Sequence, residues 1–102
     1  MKNEQTPRKL QPEVDRRIDV IRRRMDKIDA RLVALLNERA RCAQDIGDLK
    51  EQVDMEVYQP SREIEVLAHV RDENLGPLNG DAITRLFEQI IDEARRLERT
   101  PK

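Results

Sequence analysis

From Val14 onward, apolar and small residues recur at alternating spacings of three and four: Val14, Ile18, Ile21, Met25, Ile28, Leu32, Leu35, Cys42, Ile46, Leu49 and Val53. That rhythm predicts one amphipathic helix from about Glu13 to about Val53, with no proline and a single internal glycine, Gly47, to loosen it. Some forty residues at 1.5 Å each make a rod of about 60 Å, roughly twice the diameter of a small domain. The remaining half of the chain cannot cover such a rod, so the spacing asks for a partner helix, most simply the same helix of a second subunit. Met55 to Ser61 reads as a connection containing Tyr58 and Pro60, with Ser61 as N-cap of a short second helix over about Arg62 to Glu73. Ile64, Leu67 and Val70 share one face of it, and Asn74-Leu75-Gly76-Pro77 stops it. A third helix is predicted from Gly80 or Asp81 to Arg99, with Ile83, Leu86, Phe87, Ile90, Ile91, Ala94 and Leu97 as its stripe. With no strand pattern and no repeat, the fold class is all-α: one very long helix and two shorter ones folding back along it. Residues 1–12 read as a flexible polar tail, 13–99 as one helical domain and 100–102 as a C-terminal tail.

One position breaks the seam. Between Leu35 and Cys42 it carries Arg39, and a guanidinium in a buried seam costs several kcal/mol unless an anion meets it. Lys50 follows eleven residues later, within about 20° of the same face and about 16 Å further along. The seam is therefore expected to hold a small anion. Arg22 lies seventeen residues before Arg39, roughly 25 Å away and about 100° round the helix, and cannot reach a ligand held by Arg39 and Lys50 of its own chain. If the long helices pair antiparallel, the Arg22 end of one rod lies beside the middle of the other. Two shared anion sites per dimer then follow.

Composition narrows the choice of partners. The chain has 102 residues with 20 basic and 21 acidic side chains, and a net charge of -1 gives no global attraction to nucleic acid or to an anionic membrane. Charged residues make up 40% and aromatics 2%, as in surface-rich helices with aliphatic seams. The one cysteine, Cys42, cannot form an internal disulfide, and no apolar run suits a signal peptide or membrane span, so a cytoplasmic location is expected. His69, the only histidine, has no cysteine or second histidine near it in sequence and reads as a surface residue; no metal site is expected.

The run Ile28-Asp29 through Leu35-Leu36, then Glu38-Arg39, Ile46-Gly47, Lys50, Tyr58-Gln59-Pro60, Arg62-Glu63, Asn74 to Leu78, and Ile83 to Phe87 with Ile90-Ile91, resembles the all-helical chorismate mutases, of the bacterial monofunctional or N-terminal-domain type. The resemblance covers about Asp15 to Glu98. It implies an intertwined homodimer of three-helix subunits that converts chorismate to prephenate in phenylalanine and tyrosine biosynthesis, without a cofactor. It also implies roles. Arg39 would grip a substrate carboxylate from its own subunit and Arg22 would reach in from the other. Lys50 would donate to the ether oxygen and a carboxylate. Arg62 and Glu63 match a pair in the second helix, with Glu63 accepting from the ring hydroxyl and the backbone near Gln59 contributing. Two positions depart from the best-known bacterial pattern: Ala94 stands where that pattern has a serine, and Glu98 where it has a glutamine touching the ether oxygen.

The chemistry shows why such residues suffice. A Claisen rearrangement moves no proton and needs no nucleophile, so the protein must hold the folded conformer and stabilise the charge that shifts. Negative charge grows on the ether oxygen, and losing one donor aimed there costs on the order of 3 kcal/mol. A glutamine amide donates at any ordinary pH, whereas an ionised carboxylate only accepts. The activity is therefore expected to fall as Glu98 ionises. Two other functions stay open on these residues. One is an isochorismate pyruvate lyase on the same fold, against which Arg62-Glu63 and Gly76-Pro77-Leu78 count. The other is a non-enzymatic helical dimerisation or nucleic-acid-binding module using Arg16, Arg17, Arg22, Arg23 and Arg24. Phosphate binding needs no cation inside a seam, and stacking aromatics are nearly absent. A partner enzyme acting in trans also remains open.

Overall fold

A computed structural model describes residues 11–99. The tail expected over 1–12 therefore lies outside the described residues except for Gln11 and Pro12, and so does the tail expected over 100–102. Three helices account for the described chain: α1 (Pro12–Gln52), α2 (Pro60–Glu73) and α3 (Gly80–Arg99), in agreement with the all-α expectation. The chain divides into two units, Met1–Ala34 and Leu35–Lys102.

The described part of the first unit is the N-terminal stretch of α1. Pro12 opens the helix, where a missing N–H costs nothing, and Glu13 and Asp15 in the first turn suit the helix dipole. Among the described residues of this unit nothing covers the seam: Val14, Ile18, Ile21, Met25, Ile28 and Leu32 are all exposed. Arg22 is exposed on the same helix.

The second unit contains the end of α1, the connection, α2 and α3. The helix α1 ends in a Schellman turn: the Met55 N–H donates to the Lys50 carbonyl at 2.8 Å and the Asp54 N–H to Glu51 at 3.3 Å, with Asp54 in the left-handed region at φ 57°. This turn sends the chain back so that the Val57 carbonyl reaches the Lys50 ammonium at 2.9 Å.

The second helix starts earlier than expected. Pro60 occupies its first turn and Gln59 is the N-cap, with no side-chain cap bond, so Ser61 lies inside the helix rather than capping it. Proline needs no partner for an N–H and its φ is already helical, which favours initiation at Pro60. The expected apolar face of α2 also shifts. Leu67 and Val70 are half-buried as anticipated, but Ile64 is exposed and Val66 turns inward instead.

The turn between α2 and α3 is pinned by side chains. Asn74 donates to the Leu78 carbonyl at 2.6 Å and accepts from the Gly76 N–H at 3.1 Å, with Gly76 at φ 83°, a conformation glycine adopts without strain. Asn79 then caps α3, accepting from the Ala82 N–H at 2.8 Å. Arg71 donates to Thr84 Oγ1 at 2.6 Å and ties the end of α2 to the start of α3. On α3, Ile83, Phe87, Ile90, Ile91, Ala94 and Leu97 are half-buried, while Leu86 is exposed.

Ala43 and Gly47 are the buried residues among those described, and both sit on one face of α1. Gly47 does not serve to loosen the helix. A Cβ there would stand 3.0 Å from the Glu98 Cα and 3.2 Å from the Glu98 carbonyl oxygen, so glycine is what lets α3 lie directly on α1 at this point.

Candidate active site

Inside the second unit, a cleft of about 470 Å³ opens where α1, the connection, α2 and α3 face one another. Arg39, Cys42, Ala43, Ile46 and Lys50 line it from α1, at the spacing of one helical face. Val57 and Gln59 come from the connection, Arg62, Glu63 and Val66 from the first turns of α2, and Ile91, Ala94, Arg95 and Glu98 from the last turns of α3. Residues almost sixty positions apart thus converge on one volume.

Six of these side chains are charged: Arg39, Lys50, Arg62 and Arg95 against Glu63 and Glu98, a net charge of +2. Both carboxylates are paired within the protein. Lys50 Nζ donates to Glu98 Oε1 at 2.8 Å, and the two side chains are only 12% and 14% exposed. An ammonium has three donors. The Val57 carbonyl and Glu98 take two of them, so one Lys50 N–H remains for a ligand.

Glu63 is held by Arg95, whose Nη2 lies 2.6 Å from Oε2 and 2.7 Å from Oε1, with Nε 3.2 Å from Oε2. Hydrogen bonding to Glu63 raises the Arg95 pKa above its ordinary value, and burial opposes the rise. The guanidinium also sits 5.0 Å from the centroid of the Tyr58 ring.

The remaining cations of the cleft, Arg39 and Arg62, belong to neither pair. Arg39 is half-buried and, among the described residues, makes no hydrogen bond or ion pair. Arg62 is mostly exposed at the rim, where its only ion pair among the described residues is a long one to Glu65 at 3.4 Å. By Coulomb's law, an unpaired cation in a recess with low-dielectric walls attracts an anion more strongly than one in open water.

Of the residues named from sequence, Arg39, Lys50, Gln59, Arg62, Glu63, Ala94 and Glu98 all line this cleft. Ala94 presents only a methyl group there. Arg22 is not among the lining residues; it belongs to the first unit. His69 is exposed, and no group of three potential metal ligands occurs among the described residues.

Sequence reasoning missed Arg95, the Tyr58 ring and the Val57 carbonyl. A signal for Arg95 was present: it stands four residues after Ile91 and three before Glu98, on the inward face of α3. As one of two adjacent arginines near a helix C-terminus, it resembled an exposed cation placed there by the helix dipole.

A sequence model of the family described as chorismate mutase type II matches residues 21–99. This chain belongs to that family. The type II chorismate mutase match takes in every cleft residue and Arg22. The bifunctional chorismate mutase/prephenate dehydratase of Pseudomonas aeruginosa is 39% identical over 90 residues, which is 83% of this chain and 25% of that protein. The chain thus spans about a quarter of the length of such bifunctional relatives. Among solved structures, chorismate mutase form II from Thermus thermophilus superposes with a TM-score of 0.81 at 36% identity, covering 84% of this chain and 99% of that one. Chorismate mutase from Helicobacter pylori in complex with prephenate gives a TM-score of 0.73 at 26% identity, covering 79% and 88%.

Proposed function

We propose that this chain is a chorismate mutase, rearranging chorismate to prephenate, and that it works as a homodimer in which Arg22 of one subunit completes the cleft of the other. The observation that carries the first part is the net charge of +2 in a recess on the mutase fold, which matches the two carboxylates of chorismate. Arg39, unpaired within the described chain, grips one carboxylate. Arg62 at the rim and Arg22 from the second subunit serve the other. The apolar seam of α1 supports the dimer: Ile21 and Met25 are 57% and 54% exposed, and a run of such residues at helical spacing needs a covering surface.

The free N–H of Lys50 is aimed at the ether oxygen as the carbon–oxygen bond breaks, in the manner of an oxyanion-hole donor. Glu98 offers a second donor under one condition. Its Oε1 accepts from Lys50, while Oε2 has no partner among the described residues. A proton on Oε2 makes that oxygen a donor to the ether oxygen without disturbing the Lys50 contact. The ionised form has no donor to offer and neutralises part of the Lys50 charge. Ala94 supplies no hydroxyl, so substrate carboxylate binding leans on the arginines. The dehydratase carried by the bifunctional relatives shows where prephenate goes in those proteins. A prephenate-consuming enzyme, on the same polypeptide or in trans, is the proposed next step here.

The test is the loss of chorismate absorbance with purified protein across a pH series, with the product identified by acid conversion to phenylpyruvate. Turnover to prephenate is the expected result. Pyruvate released from isochorismate, with no turnover of chorismate, would reassign the cleft to the lyase reaction.

A further inference from the structure

Beyond its share of the cleft's net charge, Arg95 has no role in the mechanism above, yet it makes the densest set of polar contacts in the cleft. Its fork meets both oxygens of Glu63, and its Nη1 lies 3.4 Å from Asp92. Its face lies over Tyr58. Three elements, the connection, α2 and α3, are thereby joined at one guanidinium that is about a quarter exposed.

Resting on the chorismate mutase function above, we propose that Arg95 is a positioning residue: clamped between the Tyr58 ring and Glu63, it fixes the Glu63 carboxylate in the orientation that receives the substrate's ring hydroxyl.

The geometry carries this in three steps. Glu63 stands in the first turn of α2 with its side chain 26% exposed, and a glutamate there has several rotamers open to it unless something holds the carboxylate. A planar fork contacting both oxygens restricts the carboxylate plane, which a lysine's single rotatable ammonium does not do. Each carboxylate oxygen has two lone pairs. The three Arg95 contacts take both lone pairs of Oε2 and one of Oε1, and one lone pair on Oε1 remains for a hydroxyl donor.

Charge points the same way. A bare carboxylate lining a cleft for a dianionic ligand repels that ligand, and a cation bonded directly to it offsets the repulsion. Arg95 therefore lets an anionic residue face an anionic substrate. The consequence is selectivity: the protein reads the ring hydroxyl through Glu63, and the value of Glu63 depends on Arg95.

The experiment is a kinetic double-mutant cycle with Arg95→Met, Glu63→Gln and the pair, using chorismate and a chorismate analogue that lacks the ring hydroxyl. A hydroxyl contact made in both ground and transition states appears mainly in KM. With chorismate, Arg95→Met is expected to raise KM about tenfold or more, the scale of a charged hydrogen bond, with kcat nearly unchanged. In the Glu63→Gln background the same substitution adds little. With the analogue, which gives Glu63 no hydroxyl to receive, Arg95→Met raises KM by less than it does with chorismate, the remaining rise being the repulsion from the bare Glu63 carboxylate. Arg95→Lys keeps the charge but not the fork and shows part of the KM increase; it replaces Arg95→Met in the cycle should the latter fail to fold.

Unchanged KM in Arg95→Met, or effects of Arg95→Met and Glu63→Gln that simply multiply, overturns the positioning role while leaving the mutase function intact. An unmodified protein that does not turn over chorismate overturns the function, and this inference with it.

Discussion

Replacing Gly47 by alanine sets two physical effects against each other with opposite signs. Helix propensity alone favours the change: an internal Gly→Ala substitution stabilises a helix by roughly 0.5–1 kcal/mol. The packing opposes it. The new Cβ would lie 3.0 Å from the Glu98 Cα, 3.2 Å from its carbonyl oxygen and 3.3 Å from its Cβ. Carbon atoms rest about 3.5–4.0 Å apart, so α3 must retreat by about half an ångström, and backbone atoms cannot rotate away as a flexible side chain can. Overpacking of this kind costs typically 1–3 kcal/mol. The net expectation is a loss of about 1 kcal/mol. There is a second consequence for activity, because Glu98 is the residue displaced. Its Oε1 is 2.8 Å from Lys50 Nζ, and moving α3 outward by half an ångström stretches that bond past the usual limit of about 3.2 Å. Chemical denaturation at a fixed protomer concentration gives the stability change, and chorismate turnover in the same preparation gives the change in kcat. A Gly47→Ala protein that is more stable by the full propensity gain, with kcat unchanged, would refute the claim that Gly47 exists for close approach.

Three further expectations follow from the same geometry. Glu98→Gln keeps an oxygen to accept from Lys50 and supplies an amide donor that a carboxylate lacks; the variant should turn chorismate over faster than the unmodified protein by about tenfold or more. An unchanged or lower kcat in Glu98→Gln would refute the value of a donor at position 98. Arg22→Ala and Arg39→Ala are each expected to be nearly inactive, yet an equal mixture of refolded subunits should recover about a quarter of normal activity, because half the dimers are mixed and each has one intact site; no recovery would argue against shared sites. Asn79→Ala removes the α3 cap and should lower stability by about 1 kcal/mol in denaturant melts, and an unchanged midpoint would show that the bond to Ala82 contributes nothing.

Much of this protein was legible in its residues. Periodicities of three and four place three helices correctly because the apolar face of a helix is a local property, written in spacing alone. Arg39 stood out for the same reason: a charge on an apolar stripe is visible without knowing what faces it. The family resemblance extended the list to Gln59, Arg62, Glu63, Ala94 and Glu98, and all of these line the cleft with Arg39 and Lys50. The start of α2 was misplaced because Ser61 and Pro60 both signal helix initiation, and the balance between an N-cap hydroxyl and a preset φ is close.

What tertiary structure decided was the pairing. Lys50 meets Glu98 across 48 residues and Arg95 meets Glu63 across 32. Periodicity states which face a side chain occupies, but not which residue of another helix stands opposite it. That depends on how closely and at what register the helices approach. Here a glycine at position 47 sets the approach of α3, and a Schellman turn at Asp54 returns the Val57 carbonyl to Lys50. The sequence by itself determined the helices, their faces and a cation-bearing seam; packing alone determined which charges are partnered and which remain available to a substrate.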